Sequence, residues 1–179
     1  MLLEALGIEF DVAVPAVEEL REGEPREVVT SNALRKARAV AKKPGKGTLV
    51  IACDTEVVVE GRVMGQPADE REARWCLQAL SGRRHEVVGG LALLGPELTE
   101  TGLRVRDGVV SSSVSFTELS PPIVEAYLAS GEWRGRAGGY AVQGLGSALV
   151  SGIEGDVSNV IGLPVGLLMR LAPELVMVS

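Results

Sequence analysis

Apolar residues recur along this chain with two periods, and the switches between them divide it into helices and strands. Leu2, Leu3 and Leu6 fall on one helical face, and Gly7 beyond them is a helix stop, because glycine takes the left-handed conformation at little cost. The stretch "IEFDVAV" alternates apolar and polar positions, which predicts a half-buried strand ended by Pro15. The acidic run "AVEELREGEPRE" reads as a solvated loop. Pro25 suits the first position of a helix, and Val28, Val29, Ala33, Ala37, Val40 and Ala41 give that helix an apolar face. "KKPGKG" then reads as a Pro-Gly turn.

The next apolar run, "TLVIACD", predicts a buried strand with Asp54 at its carboxyl end. "EVVVEGRVMGQP" predicts a second strand, a glycine turn and a short return. Asp69 with Glu72 three residues on forms a capping pair for a helix that runs to Leu80. "HEVVGGLALLG" reads as a strand, and "LRVRDGVVSSSVSF" as a hairpin folded at Asp107-Gly108. Ser120 and Pro121 open a helix that ends near Gly131. The glycine-rich remainder holds short strands, and Pro164 opens a last apolar helix. Strands and helices joined partly by crossovers and partly by hairpins predict an α/β fold, a mixed twisted sheet flanked by helices.

Composition narrows what such a fold is for. With 179 residues the chain fits one domain, 1–179, and 46% apolar against 23% charged residues suits a packed core. No window approaches the run of about 18 apolar residues that a transmembrane helix needs. Nor does a basic stretch lead into an apolar one as in a signal peptide. Cys53 and Cys76 form no CxxC, so a disulfide framework or zinc site is not expected, and a reducing cytoplasm is the default compartment. A net charge of −6 argues against nucleic acid as the partner but leaves room for a small polyanion if a few cations share one cleft. Basic residues are 14 Arg against 4 Lys.

Asp54 is the first candidate for chemistry, since ligands of α/β sheets bind beyond the carboxyl ends of strands, although an aspartate there also makes an ordinary turn. Glu18 and Glu19 sit in the acidic loop and Lys36 on the helix after it; each alone reads as a solvated charge. Taken together, carboxylates bind a hard cation and a lysine holds phosphate oxygens. "RAGGYAVQG" offers backbone amides for close approach to a phosphate or base, or simply a set of tight turns. "KKPGKG" lacks the spacing of a phosphate-binding P-loop. The cysteines read as small buried hydrophobes, and His85 as a satisfied or exposed histidine.

In order, "LLEALGIEF", "NALRKARAV", "CDTEVVVEGRVMGQP", "REARWCLQALSGRRHEVVGGLAL", "VSFTELSPPIVEAYLASGEW" and "GRAGGYAVQGLGSALVSGIEGDVSNVIGLPVGLL" resemble the Maf-like nucleotide pyrophosphatases. The resemblance runs through almost the whole chain. It implies two lobes around a deep cleft, as in the inosine triphosphatases, and a homodimer. The implied reaction is hydrolysis of a nucleoside triphosphate between the α- and β-phosphates, assisted by Mg²⁺ or Mn²⁺. Asp54 would be the general base or orient the water, and Glu19 would join it at the metal. Lys36 and Gln66 would lie at the phosphates. Gln143 in "AVQG" resembles the branch acting on dTTP and UTP; the branch acting on methylated GTP carries glutamate there. The family pattern also begins with a strand and an S-x-S-P-R-R loop before "LLxxLGxxF", so the expectation is that the upstream reading frame encodes them.

Three positions depart from that pattern. Gln66 replaces a lysine, Gly89 replaces a threonine and Glu56 replaces a valine. Loss of phosphate-binding cations costs about 1.5–3 kcal/mol each. Two further readings therefore stand beside the pyrimidine triphosphate pyrophosphatase. One is a nucleotide-binding regulator of cell division with little catalysis. The other is a purine-directed inosine or xanthosine triphosphatase.

Overall fold

The structure, a computed structural model, describes residues 2–41, 48–99 and 102–175. A single helical turn, α1 (Leu2–Ala5), ends as its glycine requires: Gly7 has φ 70°, and the Gly7 and Ile8 amides donate to the Glu4 and Leu3 carbonyls at 2.9 and 3.0 Å. Residues 8–14 alternate as a strand would but pair with no strand among the described residues, and Val14 is 92% exposed. Alternation supplies a face, not a partner for the backbone.

Helix α2 (Pro25–Val40) starts at the expected proline, with the Glu24 carboxylate accepting from the Glu27 amide at 3.1 Å. The "KKPGKG" turn lies outside the described residues. What reads in sequence as two strands is one, β1 (Val50–Val59), which turns at Glu60-Gly61 into the short β2 (Arg62–Met64). Asp54 therefore sits in the middle of a strand, paired with Gly90, and not at its end. Its carboxylate finds two partners there, the side chains of Asn32 and Lys36.

Helix α3 (Glu70–Leu80) is capped by Asp69, whose carboxylate accepts from the Glu72 amide at 2.8 Å, while Glu72 accepts from the Ala68 amide. Strands β3 (Arg84–Thr99) and β4 (Gly102–Phe116) form one long antiparallel ladder. Asp107-Gly108 is no turn: the two residues pair with Ala92 and Leu91 inside that ladder. Gly108 serves packing instead, since a Cβ there would meet Leu167 Cδ1 at 3.0 Å. Helix α4 (Pro121–Ser130) ends at Gly131 with φ 73°. Two 3₁₀ segments (Ala137–Gly139 and Gly144–Leu149) lead to β5 (Val150–Glu154), then α5 (Val157–Ile161) and α6 (Val165–Leu171).

The sheet order is β2-β1-β3-β4-β5, and every pairing among the described residues is antiparallel. Helices flank it, as the alternating pattern implies. Because strand side chains alternate, β3 feeds two cores. Ala92 and Leu94 pack under α2 with Ala33, Ala37 and Val50, whereas Leu91 and Leu93 pack with Leu167 and Leu168 of α6. A larger cluster gathers α3 and α4 around Val57, Val87, Leu77, Leu80 and Phe116. No helix among the described residues is long and apolar enough to cross a membrane.

Candidate active site

Strand β2 pairs only with Val57–Val59, so the outer edge of β1 from Val50 to Glu56 has no strand beside it among the described residues. A cleft of about 460 Å³ opens along it. Its walls take Lys36 from α2, Asp54 and Thr55 from β1, Gln66 from the loop after β2, and Gln143 from the glycine-rich segment. Val160–Gly162, at the end of α5, complete it.

Asp54 is 8% exposed, and its pairing with Gly90 puts both on the face covered by α2. That helix comes close because Gly90 has no side chain; a Cβ there would run into the Val29 backbone. Two α2 side chains thereby reach Asp54. Lys36 Nζ donates to Oδ1 at 2.6 Å, and Asn32 Nδ2 donates to Oδ2 at 3.0 Å. Lys36 also meets Glu19 Oε1 at 2.8 Å. Burial works to lower the lysine's pKa, but the Asp54 and Glu19 carboxylates outweigh it and leave it above the ordinary value. Lys36 is thus an ammonium bridging two carboxylates.

The acidic loop is held, not merely solvated. Buried Asn32 accepts from the Leu20 amide at 2.8 Å and donates to the Leu20 carbonyl at 3.0 Å, and Arg35 donates to the Glu18 carbonyl at 2.9 Å. Asn32 therefore fixes the Glu19 loop and Asp54 at once. Sequence reasoning passes over it, because an asparagine within a helical pattern announces nothing about a backbone 12 residues away.

Across the cleft, Gln143 directly precedes the 3₁₀ segment Gly144–Leu149. The Glu132 carboxylate holds that segment by accepting from the Leu145 and Gly146 amides at 3.0 and 3.1 Å. Tyr140, also in the wall, is backed by His85 and Phe116, with His85 Nε2 2.7 Å from its hydroxyl. Burial lowers the His85 pKa to about 4, so this imidazole is neutral and structural. Cys76 is buried, and Cys53 is half-buried with its thiol pushed up to about 12 by burial, which leaves it unreactive.

The departures from the family pattern have visible surroundings. Gly89 pairs with Thr55, and a Cβ on it would collide with Asn159 Oδ1; the buried Asn159 instead donates to the Val87 carbonyl at 2.9 Å. Asn159 belongs to α5, capped by Asp156 through the Ser158 amide at 2.8 Å, and so ties "GDVSNVIG" to the sheet. Gln66 lines the cleft without adding charge. Glu56 lies two residues from Asp54, and burial followed by the charges of Asp54 and Glu19 raises its pKa to about 7. Among the described residues no group of three or more His, Cys, Asp or Glu side chains is arranged to hold a metal.

Known proteins resemble this chain over most of its length. The family model described as "Maf-like protein" matches residues 1–175. The dTTP/UTP pyrophosphatase of Symbiobacterium thermophilum is 45% identical over 166 residues, which is 91% of this chain and 81% of that protein. The dTTP/UTP pyrophosphatase of Anaeromyxobacter sp. is 44% identical over 165 residues, 91% of this chain and 78% of the relative. That of Pyrococcus furiosus is 40% identical over 154 residues, 86% and 77% of the two chains. Matched from end to end of its described fold, the chain belongs to the Maf-like protein family.

Proposed function

We propose that this chain is a nucleoside triphosphate pyrophosphatase acting on dTTP and UTP, releasing the monophosphate and pyrophosphate. The observation that carries this reading is Asp54, a buried carboxylate held by Lys36 and Asn32 in the wall of a cleft that also holds Gln66 and Gln143. Relatives 40–45% identical are named for that activity.

In this reading water attacks the α-phosphorus while Asp54 takes its proton. Each Asp54 oxygen accepts one hydrogen bond in the structure, and a carboxylate accepts about four, so lone pairs remain for the water. Lys36 contacts phosphate oxygens, and Gln143 and Gln66 offer neutral amide contacts to the nucleotide. Glu19 and Asp54 would hold a divalent cation, Mg²⁺ or Mn²⁺. Oxygen donors suit a hard ion, and Mg²⁺ takes one or two carboxylates plus substrate phosphates in place of a complete protein cage. Bound there, the ion would offset charge on the triphosphate.

The same reading makes the protein a one-domain subunit of a homodimer in the cytoplasm. Two free cysteines support the reducing compartment. A sequence pI near 5.0 argues against nucleic acid or an anionic membrane surface as partner and leaves room for a small polyanion only where cations gather locally.

Asp54→Asn tests the assignment, because it keeps size but removes the charge and one of the two oxygens that accept from Lys36 and Asn32. The expected result is a folded variant whose pyrophosphate release from dTTP falls about 100-fold or more, roughly 2.7 kcal/mol of transition-state stabilisation. Retention of a tenth of wild-type turnover would contradict the role given to Asp54.

A further inference from the structure

A triphosphate brings about four negative charges, and the cleft has little to meet them. Of its lining side chains two are cationic, Lys36 and Arg136, and two are acidic, Asp54 and Glu132. Lys36 spends two of its three N–H donors on Asp54 and Glu19, at 2.6 and 2.8 Å, and has one left for a phosphate oxygen. Arg136 is exposed, and its guanidinium makes no hydrogen bond or ion pair with any described residue. Glu132 makes no ion pair with it; its two oxygens accept from the Leu145 and Gly146 amides at 3.0 and 3.1 Å.

The root of Arg136 is firmly placed. Its amide donates to the Trp133 carbonyl at 3.2 Å, and its carbonyl accepts from Gly139 at 3.0 Å. The turn that follows is stitched to the Gln66 loop by the Gly138 amide, which donates to the Gly65 carbonyl at 3.1 Å. On its other side the turn rests on β1, where a Cβ on Gly138 would come within 3.1 Å of Val57. With φ of 65° and 67°, Gly138 and Gly139 make this close approach available. Arginine's planar fork matches phosphate oxygens in pairs, and Arg136, lining the same cleft as neutral Gln66, has its whole fork available to them.

We propose that Arg136 binds the polyphosphate of the substrate, supplying at the cleft wall the positive charge that Gln66 does not. This rests on the triphosphate reading above. It also explains how a cleft with glutamine at position 66 still holds a strongly anionic ligand.

The test uses Arg136→Gln in the full chain, with two readouts. In calorimetry with inorganic tripolyphosphate and Mg²⁺, which needs no turnover, the variant is expected to bind at least about 10-fold more weakly than wild type, the loss of one charge-assisted contact. In dTTP hydrolysis kcat/KM is expected to fall about 10- to 100-fold. Inhibition by dTMP, which lacks the β- and γ-phosphates, should change less than about twofold. Equal tripolyphosphate affinity in variant and wild type would overturn the proposal, as would a loss of dTMP inhibition as large as the loss of tripolyphosphate binding. Should the variant fold poorly, Arg136→Lys under the same calorimetry keeps the charge and is expected to bind more tightly than Arg136→Gln; equal weakness in both would likewise overturn it. Wild-type binding of tripolyphosphate without dTTP hydrolysis would sink the functional reading and leave this one standing.

Discussion

The carboxyl of Glu56 lies two residues along β1 from Asp54, with Oε2 buried and no hydrogen-bond partner for it among the described residues. Burial, reinforced by Asp54 and Glu19, holds its pKa near 7 against an ordinary 4.5. A carboxyl raised in the folded state favours folding most below about 4.5, and that advantage is lost as pH rises through about 7. Glu56→Gln removes the dependence. In metal-free buffer the variant is expected to match wild type near pH 5. Near pH 8 it should be more stable by about 1–2 kcal/mol, a figure reduced for solvent screening at a half-buried site. Thermal melts at the two pH values check this, and a variant less stable than wild type at pH 8 would contradict it.

At the scale of elements, Gly90 decides how close α2 comes to the sheet and so whether Lys36 and Asn32 reach Asp54. Gly90→Ala is expected to destabilise by about 1–3 kcal/mol through overpacking against the Val29 backbone. Turnover should fall as well, because Asp54 loses its two partners. An unchanged melting temperature with unchanged kcat would contradict this geometry. The helices α2, α3 and α4 were legible in the chain because proline, aspartate and glycine caps act within a few residues of where they stand. Asp54 in mid-strand was not, since what keeps β1 going is Gly90 on another strand and side chains from a helix. Asp107-Gly108 has the composition of a turn, but Gly108 answers to Leu167, far along the chain. The site divides in the same way. Asp54, Lys36, Gln66 and Gln143 announced themselves by type and motif and share one cleft, with Glu19 reaching it through Lys36. Arg136 did not, because "RAGGYAVQG" invites attention to its glycines, and only the fold shows its arginine in the cleft wall, unpaired among the described residues.

For the whole molecule, a half-open sheet edge between α2 and the glycine-rich segments makes one cleft whose own charges nearly cancel. In the proposed reaction Arg136 and a divalent cation would bring in the anionic substrate, and Asp54 would aim water at it. The central claim is that water attacks the α-phosphorus of a pyrimidine nucleoside triphosphate. Hydrolysis of dTTP by the full chain in ¹⁸O-labelled water with Mg²⁺, followed by mass spectrometry of both products, tests it most directly. The expected result is equal release of dTMP and pyrophosphate with the label in dTMP. Label in the pyrophosphate, or formation of dTDP and orthophosphate, would contradict it.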